Sequence, residues 1–207
     1  KIGMSEVAVR RLFTQNLWKL GSDGESFPTI VASGARGALP HAMASAKKIG
    51  ENELVTIDFG CCLNGYVSDM TRTFQVGQPS SQLLIIFKVV AMAQQLGIAA
   101  VKPGVTAREI DAVCRNYITK AGYGQYFTHA TGHGIGVEVH EPPYVSTAGQ
   151  TKLEPGMVIT VEPGVYIPEV GGVRIEDQVL VTSTGHRIMT SLPRYDQNVT
   201  PFSLLKK

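Results

Sequence analysis

The sequence predicts an α+β fold: an antiparallel-rich sheet of about six strands in two pseudo-symmetric halves, with about four helices on its outer face. Three observations predict it. Strand-like runs gather in two groups, residues 54–76 and 157–181, with helical patterns between them. Asn64-Gly65 lies inside the first group and is the strongest hairpin signal in the chain. The two groups also resemble each other. Val55-Thr56-Ile57-Asp58-Phe59-Gly60 parallels Ile159-Thr160-Val161-Glu162-Pro163-Gly164, and each is followed by a return strand bearing a second acid. A chain of 207 residues is long enough to bury roughly 70% of its unfolded surface.

The elements follow in order. Ser5 reads as a helix N-cap, and Val9, Leu12, Phe13, Leu17 and Leu20 recur at helical spacing until Gly21 stops them. Phe27 to Ser33 is a short β-like run, followed by a polar, Gly-containing loop to Pro40. Leu54 to Phe59 reads as a strand, and Tyr66 to Val76 as its return. Ser80 to Val101 is an apolar helix, ended by Pro103-Gly104. Thr106-Ala107-Arg108-Glu109 is a capping box for a further helix ending near Gly122. Residues 129–140 are rich in Gly and His. Met157 to Val181 reads as strands again, broken at Pro163-Gly164 and Gly171-Gly172.

Composition narrows the function. Nineteen Lys and Arg against seventeen Asp and Glu leave a net charge of +2, which argues against a nucleic-acid partner held by bulk charge. No apolar run reaches 18 residues unbroken, so no membrane span is expected. The three cysteines, Cys61, Cys62 and Cys114, make a poor disulfide framework and suggest a reducing, cytoplasmic compartment. The 22 glycines exceed the usual share of about 7% and suggest backbone drawn close to a ligand. The chain begins at Lys1 and runs straight into a helix pattern, which reads as a domain excised from something longer.

An acid in the middle of an apolar strand is expensive, because a buried charge needs a partner or a metal. Asp58 follows Val55-Thr56-Ile57, and Glu162 follows Val158-Ile159-Thr160-Val161. One such acid alone reads as a salt-bridged core group. The duplicated arrangement, with Asp69 eleven residues after Asp58 and Glu176 fourteen after Glu162, shifts the reading. Four clustered carboxylates repel unless cations neutralise them. His129, His133 and His140 add three of the chain's five histidines within twelve residues. One His with four carboxylates suits Mn²⁺, Co²⁺, Fe²⁺ or catalytic Zn²⁺ rather than a closed thiolate site.

In order and spacing, Asp58, Asp69, His133, Glu162 and Glu176 resemble the five metal ligands of the pita-bread metallopeptidases. That family comprises the methionine aminopeptidases, aminopeptidase P, the Xaa-Pro dipeptidases (prolidases) and creatinase relatives. The blocks Asp58-Phe59-Gly60, Ser68 to Thr73, Gly132 to Gly136 and Val161 to Gly164 carry the resemblance, which covers residues 1–195. Gly171-Gly172-Val173-Arg174-Ile175-Glu176-Asp177 and Val139-His140-Glu141-Pro142-Pro143-Tyr144 are similar to the Xaa-Pro branch. Two departures stand out. Ala130 replaces a common Gly, and Tyr144 stands where some dipeptidases carry a carboxylate-reading Arg.

The resemblance implies a pita-bread catalytic domain over residues 1–207, lacking the N-terminal domain of relatives. It implies two divalent cations, Mn²⁺ before Co²⁺, Fe²⁺ or Zn²⁺, bridged by Asp69 and Glu176. Asp58 completes one cation, and His133 and Glu162 the other. The implied reaction is hydrolysis of the bond between an N-terminal residue and proline by a hydroxide bridging the metals, with Glu162 taking the proton. His140 and His129 would steady the oxyanion or orient substrate, and His41, in Leu39-Pro40-His41, would contact the peptide. Arg174, two residues from Glu176 on a strand, would share its face and hold a bridging carboxylate or a substrate group. Partners are then small peptides and, by analogy, a second copy in a homodimer. Methionine aminopeptidase, creatinase-like C–N hydrolysis and a ligand-free binding module are the competing readings.

Overall fold

A computed structural model describes residues 1–194 of the chain. Helix α1 (Glu6–Lys19) starts where Ser5 Oγ accepts the Ala8 amide at 3.1 Å. It is followed by β1 (Gly24–Glu25), β2 (Ile30–Ser33), a short 3-10 turn at Gly34–Ala38, and β3 (Glu53–Phe59). Residues 54–58 are all buried, because β3 is the central strand of a three-stranded sheet, between β2 and β6 (Met70–Val76), and is covered on both faces. Val55 and Ile57 pack toward Val9 and Phe13 of α1. Alternation sends Leu54, Thr56 and Asp58 to the opposite side.

The hairpin at Asn64-Gly65 joins β4 (Cys61–Leu63) to β5 (Tyr66–Val67), with both turn residues at positive φ, 53° and 80°. The return strand is not continuous over 66–76. It breaks at Ser68-Asp69 and resumes as β6 (Met70–Val76). The break is tight: Ser68 Oγ accepts the Cys61 amide at 3.0 Å, and a Cβ on Gly60 would lie 1.8 Å from the Ser68 carbonyl.

Helix α2 (Ser81–Ala100) is capped by Ser80. Helix α3 (Ala107–Lys120) has the complete capping box, with Glu109 N to Thr106 Oγ1 at 3.3 Å and Thr106 N to Glu109 Oε2 at 2.7 Å. By length and composition α2 could cross a membrane, although Lys88, Gln94 and Gln95 interrupt its apolar runs; half of the relevant stretch is buried against this fold. Ile86, Val90, Ile110, Cys114 and Ile118 from the two helices form one core with Val161, Val173 and Val179.

The second half contains β7 (Gly132–Gly134), β8 (Glu141–Val145), β9 (Val158–Val161), β10 (Gly164–Ile167), β11 (Gly171–Arg174), β12 (Asp177–Val181) and β13 (His186–Ile188). Its five-stranded sheet runs β13-β12-β9-β7-β8, and β10-β11 form a separate ribbon. The pseudo-repeat is visible in the pairing. β3 pairs antiparallel with β6 around the inserted β4-β5 hairpin, and β9 pairs antiparallel with β12 around the inserted β10-β11 hairpin. The strands therefore fall into four sheets rather than one of about six strands. Three α-helices, not four, are found among the described residues.

Candidate metal centre

The two insertions place the acids. Asp58 is the next-to-last residue of β3 and Asp69 immediately precedes β6; Glu162 immediately follows β9 and Glu176 immediately precedes β12. Each pair thus sits at the mouth of its hairpin, where the ladder opens. The halves are then tied across the middle. Thr71 Oγ1 donates to Glu176 Oε2 at 2.7 Å, the Glu176 amide donates to Thr71 O at 3.1 Å, and Arg72 Nη2 donates to Asp177 Oδ1 at 2.6 Å.

His133 comes in from β7, which lies between β9 and β8 in the five-stranded sheet. Its amide donates to Thr160 Oγ1 at 3.1 Å, and its Nδ1 lies 3.0 Å from the Gly134 carbonyl. A carbonyl only accepts, so Nδ1 carries the proton, and Nε2 faces the acids. Nε2 lies 3.1 Å from Glu162 Oε1 and 3.7 Å from Asp69 Oδ2. Ligand atoms of Asp69, His133 and Glu176 all lie within 4.8 Å of one another. A bare Nε2 lone pair against two carboxylates is repulsive, so the geometry calls for a proton or a cation between them.

The carboxylates carry the same message. Asp58 Oδ1, Asp69 Oδ1 and Glu176 Oε1 are buried and have no hydrogen-bond partner. Burial, then the charges of Asp58 and Glu162, pushes the Asp69 carboxyl well above the usual range. Burial, then Asp69, Glu162 and Asp58, does the same to Glu176. Glu162 goes the other way. Burial would raise it, but the hydrogen bond and charge of His133 hold it below its ordinary value. His133 is pushed down by burial and carried up overall by Glu162. Orphaned buried carboxylate oxygens together with one imidazole nitrogen fit hard or borderline divalent cations.

Beside these residues lies a cavity of about 390 Å³ lined by His41, Met43, His129, His140, Tyr144 and Arg174, among others. His140 is exposed, and its ring meets that of His133 edge-on at 4.2 Å between centroids. Its nitrogens and those of His41 make no hydrogen bond among the described residues, so both are free for a substrate. His129 is differently placed. Its Nδ1 lies 2.7 Å from Ala130 O and its Nε2 2.8 Å from Tyr166 Oη. Nδ1 must donate, so Nε2 accepts from the tyrosine. Burial also holds His129 below its ordinary pKa and Tyr166 up at about 12. With both ring nitrogens engaged, His129 has no free donor within the described residues.

Arg174 also differs from expectation. It is buried and reaches Asp58 Oδ2 at 2.6 Å, Tyr166 Oη at 2.9 Å and the Pro40 carbonyl at 3.0 Å. It meets Glu176 only through Thr71, whose hydroxyl it approaches at 3.1 Å. Alternation does put Arg174 and Glu176 on one side, but the longer side chain passes on to the first half's acid. Sequence reasoning misses Tyr166 and Thr71. Period-two spacing from Asp69 is the signal that points to Thr71; Tyr166 has none beyond closeness to the Glu162 block.

The profile of metallopeptidase family M24 matches residues 1–183. The chain belongs to metallopeptidase family M24. An uncharacterized peptidase of Bacillus subtilis, YqhT, is 54% identical over 194 residues, covering 94% of this chain and 55% of that protein. Among solved structures, the Xaa-Pro dipeptidase of Bacillus anthracis is 50% identical with a TM-score of 0.93, covering 94% of this chain and 55% of that one. The X-Pro aminopeptidase of Thermotoga maritima is 40% identical with a TM-score of 0.92, covering 94% and 55%. The α+β pita-bread fold is thereby shown. The chain spans about half the length of these relatives.

Proposed function

We propose that this M24 chain hydrolyses the peptide bond between an N-terminal residue and proline, using two divalent cations. One observation carries the reading: ligand atoms of Asp69, His133 and Glu176 lie within 4.8 Å of one another, with Glu162 3.1 Å from His133 and unpartnered buried oxygens on Asp58, Asp69 and Glu176, beside a cavity edged by His41 and His140. The similarity to Xaa-Pro peptidases supports the substrate class. Both a dipeptidase and an aminopeptidase share this backbone almost equally, so peptide length must be set by side chains at the cavity. Tyr144, half exposed in its wall, offers no cation for a dipeptide's carboxylate, which favours acceptance of longer peptides.

The cations, when bound, supply Lewis acidity that polarises the peptide carbonyl and makes water acidic near neutral pH. Asp69 and Glu176, one from each half, would be shared between the cations. Asp58, steadied by Arg174 at 2.6 Å, would hold one, and His133 and Glu162 the other. Glu162 would accept the water proton. His140 donates from its free ring nitrogen to the oxygen that gains charge. His41 meets the peptide backbone. Phe27, Pro28 and Met43 give the cavity an apolar wall suited to a proline ring, whose nitrogen brings no N–H to be read.

Mn²⁺ is the proposed ion on the oxygen-rich donor set. A cytoplasmic setting is supported by three free cysteines. A homodimer rests on the family resemblance, and sedimentation will test it. The deciding experiment assays Mn²⁺-loaded protein against Ala-Pro, Ala-Pro-Ala and Met-Ala-Ala. Cleavage of the proline peptides should exceed that of Met-Ala-Ala by at least about tenfold, the scale of discrimination by an apolar pocket. Faster cleavage of Met-Ala-Ala puts the methionine aminopeptidase reading in its place.

A further inference from the structure

Outside the metal centre, the most heavily bonded carboxylate is Glu6, in the first turn of α1. Its side chain is fully buried. Five donors converge on it. Oε1 accepts the Ser33 amide and hydroxyl, each at 2.8 Å. Oε2 accepts the Ser45 amide at 3.0 Å, the Ser45 hydroxyl at 2.7 Å and Arg36 Nε at 3.0 Å. The backbone adds to the join: the first helical amides, Glu6 N and Val7 N, donate to Lys47 O and Ser45 O at 3.0 Å each. Those amides have no partner inside the helix, so the helix start and the 45–47 segment complete each other.

Ser33 and Ser45 are the two ends of one loop. Between them run the 3-10 turn, Pro40, His41 and Met43, and these last three line the cavity. Arg36, itself on Glu6, crosses the loop to Met43 O at 2.6 Å. The far side of the loop is held from the metal centre by Arg174 Nη1 on Pro40 O. His41 itself makes no bond among the described residues. Its position is therefore set by the frame around it, and that frame closes on one buried carboxylate that does not line the cavity.

We infer that Glu6 is a positioning residue for substrate: by clamping both ends of the 33–45 loop it holds His41 and Met43 as the fixed wall of the cavity. The inference rests on the proposed peptidase reading for its kinetic consequence only. A carboxylate is required by the donor count. Hydroxyls can turn away, but Ser33 N, Ser45 N and Arg36 Nε are fixed donors. Two oxygens serve all three, whereas an amide offers one acceptor and sets an NH₂ against the donors at the other. Glu6→Gln keeps the shape and releases one end of the loop. Glu6→Asp keeps the charge but is one methylene too short to span both ends.

Two measurements on the full chain test this. The first is amide hydrogen exchange. In Glu6→Gln, exchange in the 33–45 segment should quicken about tenfold or more, the loss of one charge-assisted hydrogen bond, while β3 and β9 keep their protection. The second is a double-mutant cycle on Ala-Pro hydrolysis with Mn²⁺ uptake measured alongside. Glu6→Gln should raise KM about tenfold with metal content and kcat within a few-fold, and this effect should vanish in a His41→Ala background. Ser45→Ala, which leaves no charge unpaired, should show the same pattern more weakly if Glu6→Gln folds poorly. Unchanged exchange over 33–45 in both variants overturns the clamp. An equal, additive loss with and without His41 overturns the positioning role. If the wild-type chain cleaves no peptide, the peptidase reading fails, and the exchange result alone decides whether Glu6 holds the loop.

Discussion

Glu176 shows what the centre costs the protein in its metal-free form. It is 1% exposed, one oxygen has no partner, and neighbouring acids push its carboxyl well above the usual range. A raised carboxyl stabilises the fold most below its unfolded pKa, and that contribution is lost as pH rises through the folded value. Metal-free protein should therefore lose stability from about pH 4 upward through this group and Asp69. Glu176→Gln should raise the melting temperature of the chelated protein at pH 8 by roughly 2–4 °C, the shift about 1 kcal/mol makes at this size, while binding markedly less Mn²⁺. Thermal melts with chelator and with Mn²⁺ give both signs at once; a chelated variant less stable than wild type refutes the repulsion argument. His140 makes the opposite test. Its ring is exposed and unbonded, so His140→Ala should keep its metals and melting temperature but lose about 10²–10³ in kcat, the loss expected of one oxyanion donor. Turnover within a few-fold of wild type leaves His140 as mere cavity wall.

At the scale of elements, glycines decide how closely strands approach the centre. Gly132 precedes the ligand His133 on β7, and a Cβ there would lie 2.0 Å from the Thr160 carbonyl on β9. That contact is with backbone and cannot be relieved by a rotamer. Gly132→Ala should destabilise the chain by about 3 kcal/mol or more and lower Mn²⁺ uptake, read by urea melts and elemental analysis; near-wild-type values for both would show that β7 is not pinned. The elements themselves were largely legible. The helix caps at Ser5, Ser80 and Thr106, the Asn64-Gly65 turn and the acid-bearing strands all carry local chemistry that short spacing reveals. The break at Ser68-Asp69 was not legible, because it depends on Gly60 meeting Ser68 across the hairpin. The partition into four sheets was hidden for a similar reason: inserted hairpins peel away from the main ladders only in three dimensions. For Arg174, alternation gives the face it shares with Glu176 but not its reach, which carries it to Asp58. The role of Glu6 carries no local signal, because its partners at Ser33 and Ser45 lie 27 and 39 residues away.

Across the whole molecule, the centre is where two similar halves meet. Asp58 and Asp69 come from the first, and His133, Glu162 and Glu176 from the second. Without cations the halves are joined beside the centre by Thr71 on Glu176 and Arg72 on Asp177, the latter a pair only 1% exposed on each side. Cations held by ligands from both halves add a join that exists only in the folded chain, so their binding energy becomes folding energy. At a concentration one hundred times the dissociation constant this is worth about 2.7 kcal/mol, or roughly 5–10 °C in melting temperature for a domain of this size. The stabilisation should appear on both sides of the join. Mn²⁺ should slow amide exchange in β3-β6 and in β9-β12 together. Asp69→Asn, a change in the first half, should weaken the protection Mn²⁺ gives to β9-β12; Glu176→Gln, in the second, should weaken that given to β3-β6. Protection confined to the strands of the unmutated half would mean that each half holds its own cation, and Asp69 and Glu176 would then not be bridges.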